Sequence, residues 1–112
     1  MKSLLIFALI ASILIASGIS SCEQKKLDNF ASCIGGKATL YVREGCPHCA
    51  DQEELFGKSV ANLTIIDCYY SQQECYDAQI KNIPTWLINS TKLVGVKSLE
   101  QLANLTGCEL PK

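Results

Sequence analysis

A chain of 112 residues with seven cysteines and a formal net charge of −1 holds one domain at most. Every basic residue except Lys2 and all 11 acidic residues follow Cys22, so the body of the chain is mildly acidic. It carries no basic stripe, which excludes a nucleic-acid footprint.

The first element is apolar all round. Leu4 to Ile19 reads "LLIFALIASILIASGI", with Lys2 in front of it. A basic start and an uncharged run predict a signal peptide or membrane anchor over residues 1–21. The run ends at "ISSC", Ile19 to Cys22, the pattern of a lipobox, which makes Cys22 a candidate for lipidation. A retained anchor and ordinary cleavage are the alternatives. All three place the rest of the chain outside the cytoplasm, since Lys2 stays inside. Six cysteines remain beyond Cys22, and an even set in a small exported domain favours disulfides.

Residues 22–26 are polar and read as a tether, leaving one domain over 27–112. Leu27 to Ile34 allows one or two helical turns, stopped by Gly35-Gly36. "ATLYVRE", Ala38 to Glu44, is a strand. From Pro47 to about Gly57 the pattern is helical, with acids Asp51, Glu53 and Glu54 in its first turns. "NLTIIDC", Asn62 to Cys68, is a second strand. "SQQE" from Ser71 then reads as a capping box for a helix reaching about Ile80. "TWLIN" and "KLVGV" form a hairpin about Asn89-Ser90-Thr91. "SLEQ" from Ser98 is a second capping box, and Gly107 closes the last helix. The order β-α-β-α-β-β-α, with a short helix before it, predicts an α/β fold. One mixed sheet of four strands is flanked by helices, and its first two strands are parallel and joined by a right-handed crossover.

The chemistry concentrates in Cys46-Pro47-His48-Cys49. Cys46 falls where a strand ends and a helix starts. Proline suits the next position because its missing N–H costs nothing there. The free amides of a helix start stabilise a thiolate, and His48 adds positive charge when protonated. Cys49 lies one turn on, within disulfide reach. An exposed attacking thiol with a resolving thiol behind it is what thiol-disulfide exchange requires. Two other readings stand beside this one. An inert staple across so few residues stabilises little. A zinc or copper site needs two further ligands, and no second C-x-x-C exists. The strand order brings Ile83-Pro84-Thr85 beside the start of that helix. A cis peptide before Pro84 would expose the Ile83 backbone to a substrate strand. An ordinary trans turn is the alternative, and the β-α-β-α order before it favours cis.

These pieces together resemble the thioredoxin superfamily. The likeness is to the thioredoxin-like domain associated with vitamin K epoxide reductase homologues of bacteria, archaea and plants. It is carried by "GCPHCADQEELF", the "IDC" and "EC" cysteines, "IPTWLIN" and "GVKSLEQLANLTG", and spans about Leu27 to Cys108. The resemblance implies a thioredoxin/glutaredoxin-like fold and disulfide exchange with exported proteins, with electrons passed to a membrane quinone reductase of the vitamin K epoxide reductase type. Cys46 would be the nucleophile, Cys49 the resolving thiol and Pro84 the cis-proline, with no cofactor or metal beyond the redox-active disulfide. Two departures stand out. Gly45 sits where many relatives carry an aromatic residue, and Leu40 where thioredoxins proper carry a buried acid. Both Pro47-His48 and the missing acid lean toward an oxidant rather than a reductase or isomerase. The rival of another class is a metal-binding or copper-delivery lipoprotein.

The similar domains also place a cysteine pair where Cys68 and Cys75 lie, which implies a structural bridge there. A relay role is the alternative, because the end of the second strand shares a sheet edge with Cys46. Cys33 precedes the first strand and the last helix runs back toward that strand's start, so a Cys33–Cys108 bridge is geometrically reasonable. Free thiols are its alternative.

Overall fold

A computed structural model describes residues 20–112. The expected signal or anchor segment lies outside the described residues, apart from its last two positions. In chain order the elements are α1 (Ser21–Lys37), β1 (Ala38–Val42), α2 (Pro47–Glu54), a 3-10 turn (Gly57–Asn62), β2 (Ile65–Asp67), α3 (Gln72–Asp77), β3 (Thr85–Ile88), β4 (Thr91–Val94) and α4 (Leu99–Thr106). The sheet order is β2-β1-β3-β4. β1 and β2 are parallel, and the β1–β3 and β3–β4 pairs are antiparallel. The chain is therefore an α/β domain with a four-stranded mixed sheet flanked by helices.

Register decides which residues share the buried face. Leu40 pairs with Ile65 on one side and Trp86 on the other, and Trp86 pairs with Leu93. Directly opposed residues project to the same face of a sheet. Leu40 and Trp86 are fully buried there among Phe30, Ala31 and Ile34 of α1, Phe56, Leu102 of α4 and Cys49 of α2. Phe56 sits between Phe30, whose ring is stacked 6.2 Å away, and Trp86, tilted at 6.5 Å. The 79–82 segment lies over the other face, near Thr85 and Lys92, and Lys92 Nζ donates to Gln79 O at 3.2 Å.

The helix before the sheet is longer than the sequence suggests. Residues 22–26, expected as a tether, form its first turns, because the Ser20 side chain caps it by accepting from Glu23 N. Leu27, Phe30, Ala31 and Ile34 then continue the spacing of one apolar face. Gly35-Gly36 does not stop the helix, which runs to Lys37. Gly35 serves close approach instead: a Cβ there would collide with the backbone oxygen of Asn62. Gly35→Ala is therefore expected to destabilise the domain by about 1–3 kcal/mol through overpacking. Gly36→Ala has open space and should match wild type or exceed it in the same denaturant titration.

α1 is also tied to the 3-10 turn by polar contacts. Asp28 Oδ1 accepts from Ser59 Oγ at 2.6 Å and from Gln24 Nε2 at 3.0 Å. These bonds, Ser59's first, hold the Asp28 carboxyl below its ordinary value of 3.8. A depressed folded-state value means the stabilisation is complete above the ordinary value and is lost as pH falls through the folded one. The stability gap between wild type and Asp28→Asn should be widest at neutral pH. It should shrink in denaturation curves taken below pH 3.8.

Three further local expectations need correction. The helix expected from Pro47 to Gly57 ends at Glu54, and a 3-10 turn carries the chain onward. Its first turn holds no acid, since Asp51 lies beyond it. Ser71 does not cap α3: its ψ of 55° is not the extended backbone of an N-cap, and its side chain makes no cap bond. The tight turn before it accounts for this, with Asp67 Oδ1 accepting from Tyr69 N and Asp67 O from Ser71 N, both at 2.8 Å. The hairpin and last helix follow their local chemistry. Asn89 and Ser90 both take positive φ in a two-residue turn. Ser98 and Gln101 form both bonds of a capping box, and Gly107 ends α4 at φ 78°.

Candidate active site

The parallel β1–β2 pair and the antiparallel β1–β3 pair bring three chain segments to one end of the sheet. Beyond Val42, β1 leads into the turn that carries Cys46. Val42 pairs with Asp67, and Cys68 N donates to Val42 O at 2.8 Å. Tyr41 pairs with Thr85, so the Ile83-Pro84 step begins β3 at this same end. Cys46, Pro84 and Cys68 thus reach one end of the sheet from separate parts of the chain.

Gly45 makes the turn possible. Its φ of 84° is open to glycine and rarely to other residues. The turn closes with Cys46 N donating to Arg43 O at 3.1 Å. Cys46 then takes the N-cap position of α2, with Pro47 beginning the helix. Its sulfur does what a serine or aspartate oxygen does at other helix starts, accepting from Cys49 N at 3.2 Å. A cap acceptor that becomes negatively charged on reduction is favoured by the exposed amides and dipole at that end. With no acid in the first turn, no carboxylate there opposes the charge.

Cys46 and Cys49 form a disulfide with Cα atoms 5.3 Å apart. Their surroundings differ. Cys46 is half-buried, whereas Cys49 is 2% exposed and belongs to the core cluster. An incoming thiolate therefore has access to the Cys46 sulfur and little to that of Cys49. His48 is 79% exposed, and its Nδ1 lies 3.6 Å from Asp51 Oδ2, so it faces solvent and a carboxylate on its own helix. Among the described residues no three of His, Cys, Asp and Glu are grouped to hold a metal ion.

Pro84 is fully buried and the Ile83-Pro84 peptide is cis. Pro84 O accepts from Gly95 N at 2.8 Å, which ties this segment to the end of β4. On the other side of Cys46, the Tyr70 hydroxyl donates to Glu44 Oε2. That bond, with the nearby Glu44 charge, holds the Tyr70 hydroxyl above its ordinary range. Tyr69 packs edge-on against Tyr70 at 4.9 Å, and both are exposed.

The remaining expected residues fall into two groups. Cys68 and Cys75 form a disulfide at the active end, with Cα atoms 5.7 Å apart. Cys33 and Cys108 form one that joins α1 to the residue after Gly107, with Cα atoms 5.9 Å apart. Cys22 carries an exposed, unpaired thiol in the first turn of α1.

Gln52 went unnoticed in the sequence. It is fully buried and accepts from Trp86 Nε1 at 2.9 Å and from Lys97 N at 2.7 Å. Its Nε2 donates to Lys97 O at 3.0 Å. The signal was present in the spacing: Cys49, Gln52 and Phe56 recur at three and four residues, which places Gln52 on the buried side of α2.

The site and fold together define an α/β domain with a disulfide at a helix start, one sulfur accessible and the other enclosed. No protein-family model matches the chain. The chain is similar to the thiol-disulfide oxidoreductase LTO1 of Arabidopsis thaliana, 37% identical over 86 residues, covering 69% of this chain and 22% of the plant protein. Among solved structures it is similar to the NTD_N/C domain of alkylhydroperoxide reductase AhpF from Enterococcus faecalis. That likeness has a TM-score of 0.48 and 16% identity, and covers 80% of this chain and 45% of the other. It is also similar to a protein disulfide oxidoreductase from Aeropyrum pernix, with a TM-score of 0.46, 16% identity and coverage of 81% and 45%. The chain thus spans under a quarter of the plant relative and under half of each of these structures.

Proposed function

We propose that this chain is a thiol-disulfide oxidoreductase of the thioredoxin superfamily, with Cys46 as the attacked and attacking sulfur and Cys49 as the resolving one. The observation that carries the reading is the asymmetry of the pair. Cys46 is accessible and caps a helix, Cys49 is buried behind it, and the Cys46 turn and the Pro84 segment lie at the same end of the sheet. Homology to a named thiol-disulfide oxidoreductase supports the same chemistry.

The reaction balances within the two cysteines. A substrate thiolate attacks Cys46 Sγ, a new disulfide forms, and the Cys46–Cys49 bond breaks with its electron pair leaving on Cys49. A second substrate thiolate then attacks the substrate's own sulfur in that mixed disulfide, and Cys46 leaves as a thiolate. Two electrons and two protons have passed from the substrate to Cys46 and Cys49. The Cys49 N–H directed at Cys46 and the helix start favour that departing thiolate.

The substrates in this proposal are exported protein thiols, and the direction is oxidation. Leu40, fully buried, stands where an acid would otherwise serve as a base for Cys49. Lys2 with the Leu4 to Ile19 run supports export, and "ISSC" supports a membrane tether through an anchor or a lipid on Cys22. Regeneration in this proposal falls to a membrane quinone reductase of the vitamin K epoxide reductase type. Purified oxidised protein mixed with a reduced, unfolded dithiol substrate tests the chemistry. The substrate should become oxidised as one Cys46–Cys49 pair per chain becomes reduced. A substrate that stays reduced while Cys46–Cys49 stays oxidised contradicts it.

A further inference from the structure

Gln52 lies on α2 three residues after Cys49, so the two side chains share a helix face. All three of its hydrogen bonds leave the helix. One reaches Trp86, two residues past Pro84 on β3. The other two reach the backbone of Lys97. Lys97 lies two residues beyond Gly95, whose N–H donates to Pro84 O. A single side chain therefore joins the helix that carries both cysteines to the two segments that hold Pro84. An apolar residue would fill the same volume, and a buried amide is tolerated only where its donors and acceptors are paired. Here both amide atoms, Oε1 and Nε2, have partners, and those partners lie on other elements.

We infer that Gln52 is a positioning residue for Cys46–Cys49 exchange, fixing α2 against the Ile83-Pro84 segment so that the Cys46 sulfur keeps its placement as the disulfide opens and closes. The inference rests on the redox reading above. Gln52 hydrogen-bonds to neither sulfur and acts through the helix. Misplacement by about 1 Å can lower a rate by about 100-fold, so loosening this tie should be visible in the exchange itself.

The full chain, Gln52→Leu and Gln52→Glu are each equilibrated with reduced and oxidised glutathione. Thiol alkylation and mass spectrometry then follow Cys46 and Cys49, with near-ultraviolet circular dichroism as the check of folding. Gln52→Leu, which loses all three bonds, should shift the exchange equilibrium by about fivefold or more and slow attack on Cys46 about tenfold. Gln52→Glu keeps both accepted bonds and regains the donated one only when its carboxyl is protonated. Its exchange, compared with wild type at each pH, should therefore approach wild type as pH falls and depart from it as pH rises, a dependence that packing alone does not predict. A folded Gln52→Leu protein with wild-type equilibrium and rate overturns the inference while leaving the redox reading intact. If Gln52→Leu does not fold, Gln52→Met, closer in length and shape, removes the same three bonds, and wild-type exchange in that folded variant overturns the inference equally. A wild-type chain that exchanges nothing with glutathione overturns the redox reading and the inference with it.

Discussion

Cys49→Ala protein is expected to accumulate mixed disulfides on Cys46, and Cys46→Ala to abolish exchange. The two outcomes follow from the different placements of the sulfurs. Cys46 is the accessible member, so the intermolecular bond forms there. Cys49 is enclosed, so it acts only within the chain, releasing a mixed disulfide by attack on Cys46. In the Cys49→Ala chain the Cys46 thiolate attacks a disulfide of the captured protein, one sulfur of that disulfide leaves as a thiolate, and with Cys49 gone the internal attack that would release the mixed disulfide is lost. Without Cys46 the remaining sulfur is out of reach of a partner, and turnover should fall at least about a thousandfold, the scale seen when a residue acting as part of a unit is removed. Non-reducing gels of the two variants, with the captured chains identified by mass spectrometry, read both effects. The same gels identify whichever proteins exchange disulfides with Cys46. A folded Cys49→Ala protein that captures nothing, when wild type also transfers no oxidising equivalents, counts against exchange at this pair.

The largest effect on stability is expected at the other end of the molecule. Cys33–Cys108 closes a span of 75 residues, and Cys68–Cys75 one of 7. Chain-entropy arguments make the longer closure worth about 4 kcal/mol and the shorter about 2 kcal/mol. A domain of this size has total stability of only about 5–15 kcal/mol, so losing the first bridge removes a large share of it. Cys33→Ser with Cys108→Ser should lower the denaturant midpoint markedly, while the Cys68 and Cys75 pair of serines lowers it about half as much. The second pair also tests a relay role. Folded protein lacking Cys68 and Cys75 that still turns over a thiol substrate at the wild-type rate shows the bridge to be a fixture of the loop rather than a carrier of electrons.

Features governed by neighbours in sequence were the legible ones. Pro47 after Cys46, Asn89-Ser90 between two apolar runs, and Ser98 with Gln101 each specify their own turn or cap. The structure has the corresponding helix start, hairpin and capping box. The mixed four-stranded sheet followed from the order of those elements. Features governed by distant contacts were not legible. Gly35 looks like a helix stop, but its role is set by the Asn62 backbone packed against it. Ser71 and Glu74 have the spacing of a capping box, yet the Asp67 turn holds Ser71 in the wrong backbone conformation. Gln52 reads as one more polar residue on an exposed helix, because its partners Trp86 and Lys97 are more than thirty residues away. At the candidate site the residue types and their spacing were readable. Which of the two sulfurs is enclosed was an expectation that only the packing of α2 against the core could display.

A redox titration of the purified chain against glutathione, with each cysteine pair followed separately by alkylation and peptide mass, tests the central claim most directly. The account predicts that Cys46–Cys49 alone opens reversibly, with a potential in the oxidising half of the range of about −120 to −270 mV spanned by dithiol catalysts. Cys33–Cys108 and Cys68–Cys75 should stay closed over that range. A Cys46–Cys49 pair that resists reduction to below about −300 mV, as structural disulfides do, would contradict it.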